Sequence, residues 1–225
     1  MTDFARLRNE MVDRQLIGRG IREPEVLDAM RSVPREMFVP EDLVEYAYDD
    51  APLPIGSGQT ISQPYIVAYM IEALGVRDSD VVLEIGGGSG YAAAVLAKIA
   101  ARVLVIERIE ALAHAARENL LRAGFADVTV RCSDGSRGWP EEAPFDAILV
   151  SAGAPEVPAA LVEQLSPDGR LVVPIGRHPN SQDLYRFVRG ADGRLEEEQL
   201  KPVRFVPLVG AHGWPDDGRR GADRE

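Results

Sequence analysis

The run Val81-Val82-Leu83-Glu84-Ile85 stops on Gly86-Gly87-Gly88-Ser89-Gly90, and an alanine-rich segment begins at once at Tyr91. Four apolar residues of β type around one glutamate read as a buried strand, and the glycines beyond it allow a backbone turn and close approach of a ligand. A strand that passes through such a turn into a helix N-terminus is how doubly wound α/β folds hold nucleotide-like ligands at the carboxyl edge of a parallel sheet. The chain is therefore expected to be α/β with a mostly parallel sheet. The glycine spacing also separates ligands. A dinucleotide fingerprint takes Gly at its first, third and sixth positions, whereas the sixth position counted from Gly86 is Tyr91.

What the chain carries is Glu84-x-Gly86-x-Gly88-x-Gly90, which resembles the glycine motif of S-adenosylmethionine-dependent methyltransferases. Arg102 to Ile106 reads as a second buried strand that delivers Glu107 to the same sheet edge. That is roughly the twenty-residue offset at which an acid meets ribose hydroxyls in Rossmann-like sites. One carboxylate can accept from both vicinal hydroxyls of an unphosphorylated adenosine. A third strand, Asp127 to Arg131, ends shortly before Asp134-Gly135, where methyltransferases often hold the adenine amino group. Taken singly, each acid has a plain alternative as a helix cap or solvated turn residue. Three strand ends in the right order favour the ligand.

Elsewhere the chain divides into an N-terminal helical region with a substrate loop (1–75), the β/α core (76–176), C-terminal strands (177–214) and a frayed tail (215–225), all in one methyltransferase domain. Phe4 to Ile17 has helical spacing and is stopped by Gly18 and Gly20, and Pro24 opens a second helix that ends before Pro34. Residues 46–64 hold too many Pro, Gly and Asp for a regular element and are expected to form a long functional loop. Tyr65 to Leu74 resumes as helix. In the next helix Ile109, Leu112, Ala113, Ala116 and Leu120 share one face, and Gly124 ends it. Phe145 to Val150 is the fourth strand, Leu161 to Leu165 is helical and Leu171 to Ile175 is a strand. Leu184 to Val188 and Leu195 to Leu208 form a hairpin around Ala191-Asp192-Gly193.

At 225 residues, 45% of them apolar, the chain can bury a full α/β core. The net charge of -11 argues against a broad nucleic-acid footprint, which relies on clustered cations. The sequence shows neither a bilayer-length apolar run nor a charged-then-apolar leader, so a cytoplasmic protein without membrane contact is expected, as a monomer. His114, His178 and His212 lack ligand spacing, so no metal is expected. The single cysteine, Cys132, is expected to be a buried or half-buried passive thiol.

The loop after the fourth strand, Ser151-Ala152-Gly153-Ala154-Pro155-Glu156-Val157-Pro158, lacks the Asp/Asn-Pro-Pro-aromatic motif that holds base amines, which disfavours a base methylase. Pro52-Leu53-Pro54-Ile55-Gly56-Ser57-Gly58-Gln59-Thr60-Ile61-Ser62-Gln63-Pro64-Tyr65 closely resembles the signature loop of protein-L-isoaspartate O-methyltransferases. The resemblance extends over Val33 to Pro40, Glu107-Arg108-Ile109, Asp134 to Pro140, Ala143 to Ile148 and Val203 to Val209. Gly87 stands where that family often has Thr, Ser57 where His is frequent, and Ser133 where Gly commonly precedes Asp-Gly.

The resemblance implies a Rossmann-like class I methyltransferase fold, S-adenosyl-L-methionine as methyl donor, and repair of isoaspartyl proteins and peptides by esterification of their free α-carboxylate. It implies that Gln59, Thr60, Ile61 and Ser62 line the cofactor and peptide site, with Thr60 and Ser62 at the substrate and Ser62 at the family's active-site serine. Gly86, Gly88 and Gly90 accommodate the methionine moiety, Glu107 the ribose, and Asp134 with Gly135 the adenine. Taken alone, Thr60 and Ser62 could instead satisfy their own loop backbone. A different carboxylate acceptor, or a cofactor-binding module without catalysis, also stays open.

Overall fold

The apolar runs assemble into a twisted sheet in the computed structural model, which describes residues 2–179 and 181–216. In chain order the helices are α1 (Phe4–Met11), α2 (Pro24–Ser32), α3 (Pro64–Leu74), α4 (Tyr91–Leu96), α5 (Glu110–Arg122) and α6 (Ala159–Glu163). The strands are β1 (Leu53–Gly56), β2 (Gln59–Ile61), β3 (Val81–Ile85), β4 (Arg102–Glu107), β5 (Thr129–Cys132), β6 (Phe145–Val150), β7 (Leu165–His178), β8 (Ser181–Arg189) and β9 (Leu195–Val203). The main sheet runs β5-β4-β3-β6-β7-β8-β9. Pairing is parallel from β5 to β7 and antiparallel across β8 and β9.

After β3 the chain crosses to β4 and β5 on one side and then returns to β6 on the other. The carboxyl ends of β3 and β6 thus flank the switch point where open α/β sheets bind ligands. Side chains alternate between two covered faces. Val82, Val103, Val105, Ala147, Leu149 and Val172 pack with the N-terminal helices, α3 and α4. Leu83, Leu104, Ile106, Ile148, Val150 and Leu171 pack with Trp139, Phe145 and Leu161 on the other face. At the opposite sheet edge the Arg170 guanidinium is paired with Asp80 and donates to the carbonyls of Leu74 and Gly75, which fixes the end of α3 before β3 begins.

Several expectations change in detail. The segment 46–64 is not wholly irregular, because Leu53–Gly56 and Gln59–Ile61 form an antiparallel hairpin. Its turn places Gly56, Ser57 and Gly58 all at positive φ, so two glycines supply a bend that most residues resist. The third core strand starts at Thr129. β7 starts earlier than expected, at Leu165, and β9 ends at Val203. The residues beyond Val203 are held by side chains and bridges, as Gln182 Oε1 accepts from the Phe205 amide and Gly153 pairs with Pro207. Cys132 is exposed, with its thiol 3.7 Å from the Arg108 carbonyl, because the short edge strand β5 leaves its last residues uncovered. Of the expected tail, Asp216 meets Arg108 at 3.1 Å, and residues 217–225 lie outside the described ones. Among the described residues no helix is long and apolar enough to cross a membrane, and no cluster of three His, Cys, Asp or Glu could hold a metal.

Candidate active site

The turn after β3 is shaped by backbone bonds to the neighbouring strand. Gly86 and Gly87 both donate to the Ile106 carbonyl, at 2.8 and 3.3 Å, and Gly86, Gly88 and Gly90 take positive φ. Glu107, the last residue of β4, is 6% exposed and locks this turn: its carboxylate accepts from the Gly88 amide at 2.9 Å and from the Ile109 amide at 2.8 Å. Gly87 has its own reason. A Cβ there would run into the Val105 side chain, so in this chain the valine occupies the space that a threonine would need. At Gly90 the missing Cβ lets Leu120 and the Ala116 carbonyl of α5 approach within 3.1 and 3.3 Å of where it would lie.

A narrow cleft of about 70 Å³ is lined by Gln59, Thr60, Gly86, Gly88, Glu107, Gly135 and Ser151, with Val206 to Val209 closing it. A second, of about 50 Å³, is lined by Thr60, Ile61, Ser62, Glu84, Gly86, Gly88 and Ser151. A wider cavity of about 560 Å³ opens beside them and is lined by Thr60, Ser62, Gln63, Ser151, Lys201 and Arg204. Thr60 and Ser151 border all three spaces, and Ser62 borders the second and third. The structure thus brings together Gln59, Thr60, Ile61, Ser62, Gly86, Gly88, Glu107 and Gly135. Asp134 stands apart. Its carboxylate accepts from the Ser136 amide and hydroxyl and from the Ala211 amide, at 3.0, 2.7 and 2.8 Å, tying the C-terminal segment down beside Gly135. Neither the Thr60 nor the Ser62 hydroxyl has a hydrogen-bond partner among the described residues, so their own loop does not consume them.

The residues 204–209 and Ser151 line the cavities but were not singled out in the sequence as site residues. Their signal was the Val203 to Val209 motif, which also reads as ordinary strand. Glu84 was visible only as a motif letter. It is 1% exposed, accepts from the Ser151 hydroxyl at 3.2 Å through Oε1, and leaves Oε2 without a hydrogen bond of good geometry among the described residues. Burial pushes its pKa up to about 8, against the pull of the Ser151 hydrogen bond. A carboxyl group with its pKa raised by folding stabilises the fold fully below its ordinary value and loses that contribution as pH rises through about 8. The melting temperature of the ligand-free protein is therefore expected to fall between pH 6 and 9, and Glu84→Gln is expected to flatten that fall. Parallel pH profiles of the two proteins in calorimetry would contradict the assignment.

The enclosed Glu84 carboxyl group, a glycine cradle and the Glu107 carboxylate bonded to that turn fit a ligand with an amine at one end and a ribose at the other. The family described as Protein-L-isoaspartate(D-aspartate) O-methyltransferase matches residues 6–213. The chain is 56% identical over 213 residues to protein-L-isoaspartate O-methyltransferase 2 of Marinobacter nauticus, covering 95% of this chain and 97% of that one. It is 54% identical over 209 residues to the protein-L-isoaspartate O-methyltransferase of Methanoculleus marisnigri, covering 93% and 94%. Among solved structures, a protein-L-isoaspartate O-methyltransferase superposes with a TM-score of 0.81 at 31% identity, covering 91% of this chain and 67% of that one. A beta-aspartate methyltransferase from Plasmodium falciparum, in complex with S-adenosyl-L-homocysteine, gives 0.79 at 27% identity, covering 90% and 98%.

Proposed function

The chain belongs to the protein-L-isoaspartate O-methyltransferase family, transferring methyl from S-adenosylmethionine to isoaspartyl residues in protein repair, and from that premise we propose how its residues divide the work. The observation that carries the division is the shared wall. Thr60 and Ser151 border both narrow clefts and the wide cavity, so whatever lies in the clefts meets whatever enters the cavity at these residues and Ser62. The clefts suit S-adenosylmethionine: Glu84 Oε2 and the Gly86 to Gly88 turn at its amino acid end, Glu107 at the ribose, and Gly135 with Val206 to Val209 toward the adenine. When bound, the sulfonium supplies an electrophilic methyl group.

The wide cavity suits the isoaspartyl peptide. An α-carboxylate has an ordinary pKa of about 3.3 to 3.7, so it is an anion at neutral pH and needs no base. The free hydroxyls of Thr60 and Ser62 can donate to it and fix its direction, while Lys201 and Arg204 on the cavity rim place positive charge around an anionic acceptor. Orientation then supplies most of the rate. A cytoplasmic monomer acting without nucleic acid or membrane completes the reading, and the net charge of -11 supports the part of it that concerns nucleic acid.

Ser62→Ala is expected to lower the single-turnover rate by about tenfold or more, the value of one hydrogen bond to a charged group, and to leave cofactor affinity within about twofold. Loss of cofactor binding with turnover retained would move Ser62 out of the acceptor site. With both substrates saturating, the rate between pH 5 and 9 is expected to lack a rising limb at the ordinary His or Cys pKa of about 6.5 or 8.5. The methyl group is expected to leave the product in mild alkali, as an ester does. A base-stable methyl group would point to an amine acceptor.

A further inference from the structure

Arg35 is the largest fully buried side chain of the described residues, and no carboxylate among them lies within ion-pair distance of its charge. Its Nε donates to the Ala47 carbonyl at 2.7 Å and its Nη2 to the Ser62 carbonyl at 2.8 Å, while Nη1 makes no hydrogen bond of good geometry among the described residues. The guanidinium carbon lies 4.7 Å from the centroid of the Tyr91 ring. Tyr91 is itself buried and is the first residue of α4, directly after Gly90 of the glycine turn. One planar group therefore touches the loop before the hairpin, the backbone of Ser62 and the start of the helix that follows the cofactor turn.

Burying an unpaired charge is costly, and well-packed apolar residues often serve a core as well or better. Retaining arginine here needs a task that an apolar chain cannot perform. Holding two carbonyls from separate segments at a fixed angle is such a task, because the guanidinium presents its donors in a rigid fork while a lysine presents a single mobile centre. The bond to the Ser62 carbonyl fixes the peptide plane from which that serine projects, between the end of β2 and the start of α3. Stacking on Tyr91 refers the plane to the glycine turn.

We propose that Arg35 is a positioning residue for methyl transfer, which sets the Ser62 hydroxyl relative to the cofactor turn by gripping the Ser62 carbonyl while stacked on Tyr91. This rests on the reading of Ser62 as the residue that orients the acceptor carboxylate. Arg35 acts only through Ser62, so its effect on rate should depend on the Ser62 hydroxyl being present.

The test is a double-mutant cycle of Arg35→Lys and Ser62→Ala, read as single-turnover methyl transfer to an isoaspartyl peptide with both substrates saturating, with calorimetric cofactor affinity and melting temperature measured alongside. Arg35→Lys is expected to lower the rate by about tenfold when Ser62 is present and by less than about twofold when it is alanine, with cofactor affinity unchanged in both. Arg35→Met, which removes the buried charge at similar size, is expected to behave in the same way. Equal losses in the two Ser62 backgrounds, an unchanged rate, or failure of both Arg35 variants to fold would each assign Arg35 to the fold alone and overturn the proposal. If the unsubstituted chain turns over while the losses multiply independently, only this coupling fails. If the unsubstituted chain does not methylate the peptide, the functional reading fails and takes the coupling with it.

Discussion

Replacing Glu107 by alanine is expected to weaken S-adenosylmethionine binding by about 10- to 150-fold, or about 1.5 to 3 kcal/mol. The carboxylate sits at the end of β4 facing the narrow cleft and is almost fully buried. Each of its oxygens already accepts one backbone amide, from Gly88 and Ile109, and each keeps a second lone pair free for a ribose hydroxyl. Alanine removes the charge-assisted bonds to the ligand and also frees the Gly88 amide, so the turn that shapes the cleft loosens at the same time. Two effects should therefore appear together: weaker binding and a lower melting temperature, with the fold retained. Titration calorimetry of the folded variant decides the point. Affinity equal to that of the unsubstituted chain would remove Glu107 from the site.

The two roles proposed for Glu107 also show what a sequence displays and what it hides. The strand β3, the glycine turn and the acid after β4 could be read directly, because a continuous apolar run that ends in glycines leaves few alternatives for the backbone. The buried face of α5 was equally plain, since Leu112, Ala113, Ala116 and Leu120 recur at helical spacing and all are buried. The β1–β2 hairpin was not visible. Pro52, Pro54, Gly56 and Gly58 lower strand propensity, and only tertiary contacts, such as Ile55 lying over Gly88, make extended pairing the best use of that segment. The early start of β7 was hidden in the same way by Pro167 and Gly169.

Buried charge is the other blind spot. Arg35 looks like any surface Arg in a linear sequence, and nothing in its neighbours reports that three segments enclose it; the apolar run around Glu84 reads as a buried strand, but does not report that the carboxyl group itself is enclosed beneath α3 and α4. The resemblance placed Gly90 and Asp134 at the ligand. The structure shows a second use for each, since Gly90 makes room for α5 and Asp134 clamps Ala211, and their place at the ligand stays a proposal. A glycine and an aspartate at a sheet edge serve packing and capping as readily as binding, and the distinction rests on which side of the turn each one faces.

The isoaspartyl linkage is the feature by which the acceptor is recognised, and it carries a second large effect. In an isoaspartyl residue the main chain runs through the side-chain carbonyl, which leaves the α-carboxylate free and lengthens the backbone by one methylene. In the normal isomer the α-carbonyl is locked in an amide, and the remaining carboxylate sits at the end of a side chain, displaced from where Thr60 and Ser62 can orient it. A misplacement of about 1 Å between reacting groups can cost about a hundredfold in rate. The direct measurement is methyl transfer from labelled S-adenosylmethionine to two peptides that differ only in carrying isoaspartate or aspartate at one position. The expected kcat/KM for the isoaspartyl peptide is at least about 100 times that for its isomer. Equal rates on the two peptides, or a preference for the normal aspartyl form, would contradict the assignment of this site.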